Sequence, residues 1–117
     1  MSVDNKVLVD QFRKDGYIFF ENALTSDQLT SLNAELARWV DESRKHSQPF
    51  GKIKDGRPRF DLEPTTHSAQ NPAVRRITSP AEISDVCLDV VKDNKALDLV
   101  VEIFGPNITH LGNKINL

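Results

Sequence analysis

Three histidines, one cysteine and a run of basic residues are the side chains of this 117-residue chain that could carry chemistry. A mononuclear metal site built from two histidines and one carboxylate needs three ligands on one face of the ion, with open positions left for reactants. On a strand, two such ligands commonly sit two residues apart, as His-x-Asp or His-x-Glu. Here His46 is followed by Ser47 and Gln48, His67 by Ser68 and Ala69, and His110 by Leu111 and Gly112. None forms the pair. His-Glu-x-x-His, Cys-x-x-Cys and calcium-loop patterns are absent too. His46 and His67 are therefore expected to be solvated loop histidines, while His110 falls on the polar face of a strand.

Cys87 lies in an apolar helical stripe with nothing nearby to lower its pKa, so a buried core thiol is expected rather than a nucleophile. There is no Gly-x-Ser-x-Gly elbow and no phosphate-binding glycine loop. The basic run Arg44, Lys45, Lys52, Lys54, Arg57 and Arg59 admits two readings. Arginine forks suit carboxylate or phosphate groups, and a solvated loop balanced by Asp55, Asp61 and Glu63 would look the same.

The end of the sequence, GPNITHLGNKINL, alternates. Thr109, Leu111, Asn113, Ile115 and Leu117 share one side; His110, Gly112, Lys114 and Asn116 share the other. This predicts a half-buried strand from about residue 107, with Lys114 and Asn116 on its polar face. A lone strand leaves backbone donors and acceptors unpaired, so an open edge and self-association through it are expected.

The elements that must position these groups are helical for the most part. Val7, Leu8, Gln11 and Phe12 share a helical face, with Asp4 as a cap and Gly16 as a stop. YIFFEN, residues 17–22, reads as a short strand. Thr25 and Gln28 form a capping box, flanked by a Leu24–Leu29 staple. Leu29, Leu32, Leu36, Trp39 and Val40 then form an apolar stripe reaching about Arg44. Residues 45–78 hold four of the six prolines and read as a long loop, with one short strand near residues 59–62. A loop of that length belongs to a lid or binding element. Ser79-Pro80-Ala81-Glu82 signals a new helix, and Leu97, Val100, Val101 and Phe104 form the next face, stopped by Gly105-Pro106. The division expected is a helical segment, 1–106, with its long loop 45–78, leading into a β domain whose first strand is 107–117. The class is α+β.

Composition bounds the rest. The chain is 38% hydrophobic and 27% charged with a formal charge of -2, a globular mixture with no overall field favouring nucleic acid or an anionic membrane. A single cysteine fits a reducing, cytoplasmic setting. No stretch is apolar enough for a signal peptide or a membrane span.

Two stretches together resemble a family. FRKDGYIFFENALTSDQLTSLNAELARW resembles the opening of phytanoyl-CoA dioxygenase-like proteins, Fe(II)- and 2-oxoglutarate-dependent oxygenases. VVEIFGPNITHLGNKINL resembles their passage into a double-stranded β-helix (jelly-roll) barrel. The resemblance implies that residues 107–117 are an early strand of an incomplete barrel. It places Lys114 and Asn116 toward the cosubstrate, and the iron ligands beyond residue 117. Arg59 and Phe60 would fall in a loop over the active site. Implied for a complete enzyme are Fe(II), 2-oxoglutarate and a small-molecule substrate hydroxylated at an unactivated C–H bond. No catalytic residue or iron ligand can be assigned in this chain. The alternative is a non-enzymatic helical module that binds a partner through its terminal strand. On the oxygenase reading, these 117 residues alone release no succinate from 2-oxoglutarate. Iron-dependent succinate above a metal-free control would overturn that expectation.

Overall fold

The structure, a computed structural model, describes residues 3–117. Helix α1 (Val3–Asp15) is followed by α2 (Ser26–Ser43) and three strands, β1 (Phe50–Lys52), β2 (Pro58–Leu62) and β3 (Val74–Thr78). A 3-10 turn (Pro80–Glu82), helices α3 (Asp85–Lys92) and α4 (Ala96–Phe104), and strand β4 (Lys114–Asn116) complete the order. The strands form one open antiparallel sheet in the order β1-β2-β3-β4. The class is mixed α and β.

Helix α1 ends as its sequence requires. Gly16 takes φ 82° and its N–H closes on the Phe12 carbonyl at 2.7 Å. Asp4 lies inside the helix rather than at its cap. Helix α2 begins on the expected capping box. The Thr25 hydroxyl accepts from the Gln28 N–H at 3.1 Å, and the Gln28 side chain accepts from the Thr25 N–H at 2.9 Å. The Gln28 amide also donates to the Asp93 carbonyl, tying the start of α2 to the end of α3. Leu32, Leu36, Trp39 and Val40 pack on the sheet, while Leu29, at the start of the stripe, is half exposed.

The region read as a long loop is where the sheet lies. Phe60, Leu62, Val74 and Ile77 of β2 and β3 join Trp39 and Cys87 in the buried core, with Ile115 of β4 packed against it. Three short strands with glycine and proline between them carry no long alternation, so their pairing is set by tertiary packing. Gly51 enables the approach of β1 to β2. It takes φ 72°, and a Cβ there would meet a Phe60 ring carbon at 3.2 Å and the Arg59 Cβ at 3.3 Å.

Two other expectations are corrected. Residues 17–22 form no strand: Tyr17 and Phe19 are exposed, Phe19 by 84%, with their rings edge to face and centroids 6.5 Å apart. Aromatic content favours a strand only where a neighbouring strand offers a ladder. Ser79 does not cap α3. It sits in the left-handed region at φ 51° and starts only the 3-10 turn. The cap is Ser84, whose hydroxyl accepts from the Cys87 N–H at 3.2 Å and donates to Glu35 at 3.1 Å.

The terminal strand also has its partner within the chain. β4 pairs with β3, Ile115 facing Ile77, and is confined to Lys114–Asn116 rather than starting near residue 107. Helices α1 and α4 form a separate contact, with Val9 and Leu99 buried and the Phe12 and Phe104 rings edge to face at 6.3 Å. Among the described residues, no helix is long and apolar enough to cross a membrane.

One buried cation holds the sheet to the turn that follows it. Arg59 is 4% exposed. Its Nη1 donates to the carbonyls of Thr78 and Ser79, and its Nη2 to the Lys52 carbonyl and to Glu82 Oε2, both at 3.0 Å. β1, the end of β3 and the 3-10 turn thus meet on one guanidinium. Arg59→Ala leaves the partly exposed Glu82 carboxylate and three carbonyls without their buried cation. It is expected to lower unfolding free energy by about 3 kcal/mol or more, measured by urea denaturation. A change below about 1 kcal/mol would mean the cluster is not what joins these elements.

Candidate functional site

The strand register divides the sheet into two chemically different faces. Phe60, Ile77 and Ile115 lie across one face, the one covered by α2 and α3. Asp61, Arg76 and Asn116 lie across the other, with Thr78 opposite Lys114. Among the described residues, α2 and α3 pack on the first face and not on this one, where Lys114 and Asn116 are exposed. Across paired strands, side chains on one face stand about 5 Å apart, so Arg76, Thr78, Lys114 and Asn116 form a compact block of donors.

A shift in register concentrates charge there. Asp61 faces Arg76, yet Leu62 faces Val74, which leaves Arg75 as an extra residue on β3. Such a bulge re-aims neighbouring side chains. Arg75 Nε and Arg76 Nη2 both donate to Asp61 Oδ2, at 2.9 and 3.4 Å, and Arg75 also approaches Glu63 at 3.7 Å. The Asp61 carboxylate raises the Arg75 pKa above its ordinary value, chiefly through that hydrogen bond. Because Arg75 holds Asp61 more closely, Arg76 keeps donors for a ligand.

These side chains line a groove of about 510 Å³ with Arg57, Asp61, Arg76, Thr78, Asn113 and Lys114 on its walls. Arg57 is tied to Asp55: two bonds from Arg57, side chain then backbone, hold the Asp55 carboxyl below its usual value. Lys114 is exposed and makes no ion pair among the described residues. Asn116 lies opposite Arg76 at the rim, outside the groove's lining. A donor-rich wall with one unshared ammonium and one partly shared guanidinium suits a carboxylate or a phosphate.

Other candidates lie elsewhere. His110 accepts from the Asn113 amide at 3.2 Å but lines a separate apolar depression with Val91, Val100, Phe104 and Ile108. His67 is no solvated loop residue. Its Nε2 lies 3.1 Å from the Ser43 carbonyl and 2.9 Å from that of His46, and its Nδ1 accepts from the Ala73 N–H at 2.9 Å. One imidazole thus pins residues 63–73 to the end of α2. His46 stacks on Phe50 at 3.8 Å, and Phe50 on Phe60 at 4.5 Å. Phe60 is therefore core and Arg59 a structural hub, and neither forms a lid.

Cys87 is buried, as its stripe implies. Burial pushes its thiol above the ordinary value, against an opposing bond from Ser84 and with a smaller push from Glu35. A raised acid of this kind stabilises the fold below the unfolded thiol's pKa. That contribution is lost as pH climbs through the folded value. Among the described residues no group of three His, Cys, Asp or Glu side chains could hold a metal ion.

The site residues missed from the sequence are Asp61, Arg76 and Thr78. The alternation in PRFDL and VRRIT carried their signal, hidden by the proline-rich surroundings. No family model, no curated protein and no solved structure matches the chain.

Asp61→Ala removes the shared acceptor of two arginines. The expected loss is about 1 kcal/mol of stability by urea denaturation, shrinking at high salt as screening predicts. A loss insensitive to salt would mean Asp61 acts by packing alone.

Proposed function

We propose that the polar sheet face is one wall of the cosubstrate pocket of an Fe(II)- and 2-oxoglutarate-dependent oxygenase similar to phytanoyl-CoA dioxygenase-like proteins. The complete enzyme hydroxylates an unactivated C–H bond of a small molecule in a reducing, cytoplasmic setting. The sheet is then part of a double-stranded β-helix barrel, with α2 and α3 on its outside. The observation that carries this reading is the separation of the faces. Helices cover the apolar face, and the uncovered face bears Lys114 and Asn116, the two positions the resemblance assigns to the cosubstrate.

The residues present suit that ligand's chemistry. The Lys114 ammonium and the Arg76 guanidinium supply charge-assisted donors for a carboxylate, each worth about 1.5–3 kcal/mol. The Thr78 hydroxyl lies between them in the register and adds a neutral donor. Asn116 extends the donor row at the rim. Iron, when bound, would supply the oxidising chemistry, and the resemblance places its ligands beyond residue 117.

A second reading, a module that binds a partner by strand addition, is favoured by one observation. β4 is the last strand in the sheet order and has an open edge.

Titration with 2-oxoglutarate, followed by backbone amide NMR, tests the first reading. Amides of Arg76, Thr78, Lys114 and Asn116 should shift together at millimolar ligand. Lys114→Ala should weaken binding about tenfold, the loss of one charge-assisted bond. Unmoved amides, or equal binding by Lys114→Ala, would contradict it.

A further inference from the structure

The backbone of β4 is oriented in a way that specifies a partner. The Ser79 N–H donates to the Asn113 carbonyl at 2.9 Å, and the Leu117 N–H to the Arg75 carbonyl at 3.1 Å. Ile115 faces Ile77 between them. In an antiparallel ladder, alternate residues turn both backbone groups to the same neighbour. Asn113, Ile115 and Leu117 therefore turn theirs to β3. The N–H and C=O of Lys114 and Asn116 point the other way, to the open edge.

We infer that this edge pairs with the same edge of a second copy of this chain, antiparallel, about a two-fold axis at Ile115. That register is chosen by three features. Lys114 of one copy faces Asn116 of the other, and the reciprocal pair repeats it, so each of the four outward backbone groups on a copy finds its complement. The two Ile115 side chains meet on the apolar face as a close, non-hydrogen-bonded pair. Leu117, 55% exposed in the single chain, gains cover on that face beside the partner's Asn113. Moving the axis to Lys114 would set two ammonium groups opposite each other, which is destabilising. An axis normal to the sheet keeps like faces together, so the helices of both copies stay on one side and the two polar faces join. The contact is isologous, as two-fold assemblies require. It goes beyond the cosubstrate reading and does not rest on it. A further strand laid on this edge would compete for the same groups.

Because the shared ladder is short, the dimer forms with rising concentration rather than permanently. Sedimentation equilibrium should therefore give a mass climbing from 13.2 kDa toward twice that value. Asn116→Pro removes one outward N–H without touching the bonds to β3. It should hold the chain at the single-copy mass with an unchanged far-ultraviolet circular dichroism spectrum. Under mild oxidation Ile115→Cys should crosslink to itself, since the axis brings residue 115 against its own copy, and Lys114→Cys should not. A mass fixed at 13.2 kDa up to roughly millimolar concentration would overturn the proposal. So would a dimer undisturbed by Asn116→Pro, or preferential crosslinking of Lys114→Cys.

Discussion

The arrangement depends on one buried guanidinium. Arg59 meets four acceptors from three elements: Lys52 in β1, Thr78 and Ser79 at the end of β3, and Glu82 in the 3-10 turn. An arginine removed from water has to be matched donor by donor, or its desolvation would outweigh what it gains. The match constrains the backbone. It holds the Ser79 carbonyl where the left-handed conformation of that residue aims it, and so sets the direction in which the chain leaves β3. The same Ser79 donates to Asn113, which places β4 beside β3. The donor block on the polar face follows from that placement, because Lys114 reaches the groove only if β4 lies in this register.

The two faces of the sheet have different origins. The apolar face is assembled by helix α2, whose Trp39 meets Phe60 at 6.0 Å in a column continued by Phe50 and His46. The polar face is assembled by the bulge at Arg75, which lets two consecutive arginines address one carboxylate. Burial fixes the first, and a one-residue register shift fixes the second. A ligand on the polar face would thus bind a surface whose backbone is held from behind by the core.

Much of the helical half was legible in the sequence, because its signals are local. The Thr25–Gln28 box, the Gly16 stop and the buried setting of Cys87 each depend on a few neighbouring residues. The alternation ending in Lys114 and Asn116 likewise put those side chains on the polar side of a strand. Of the sheet, the strand near residues 59–62 was legible as β2, and its neighbours β1 and β3 were not. β1 and β3 lie among prolines and glycines, span three and five residues, and acquire their pairing from contacts distant in sequence. YIFFEN has strand composition and no strand to pair with. His67 looked like a solvated loop residue, and Arg59 gave no sign of its buried role, because nothing local marks a side chain whose acceptors lie some twenty residues away. Ser79 read as the cap of α3, but its left-handed backbone leaves that role to Ser84.

On the proposed function, the polar face recognises the ligand by its charge, met by Lys114 and Arg76. Calorimetric titration with 2-oxoglutarate and with its neutral diester, at low and at high salt, tests it most directly. The dianion should bind, more weakly as salt rises, and the diester should not bind. Equal binding of both, or binding indifferent to salt, would contradict it.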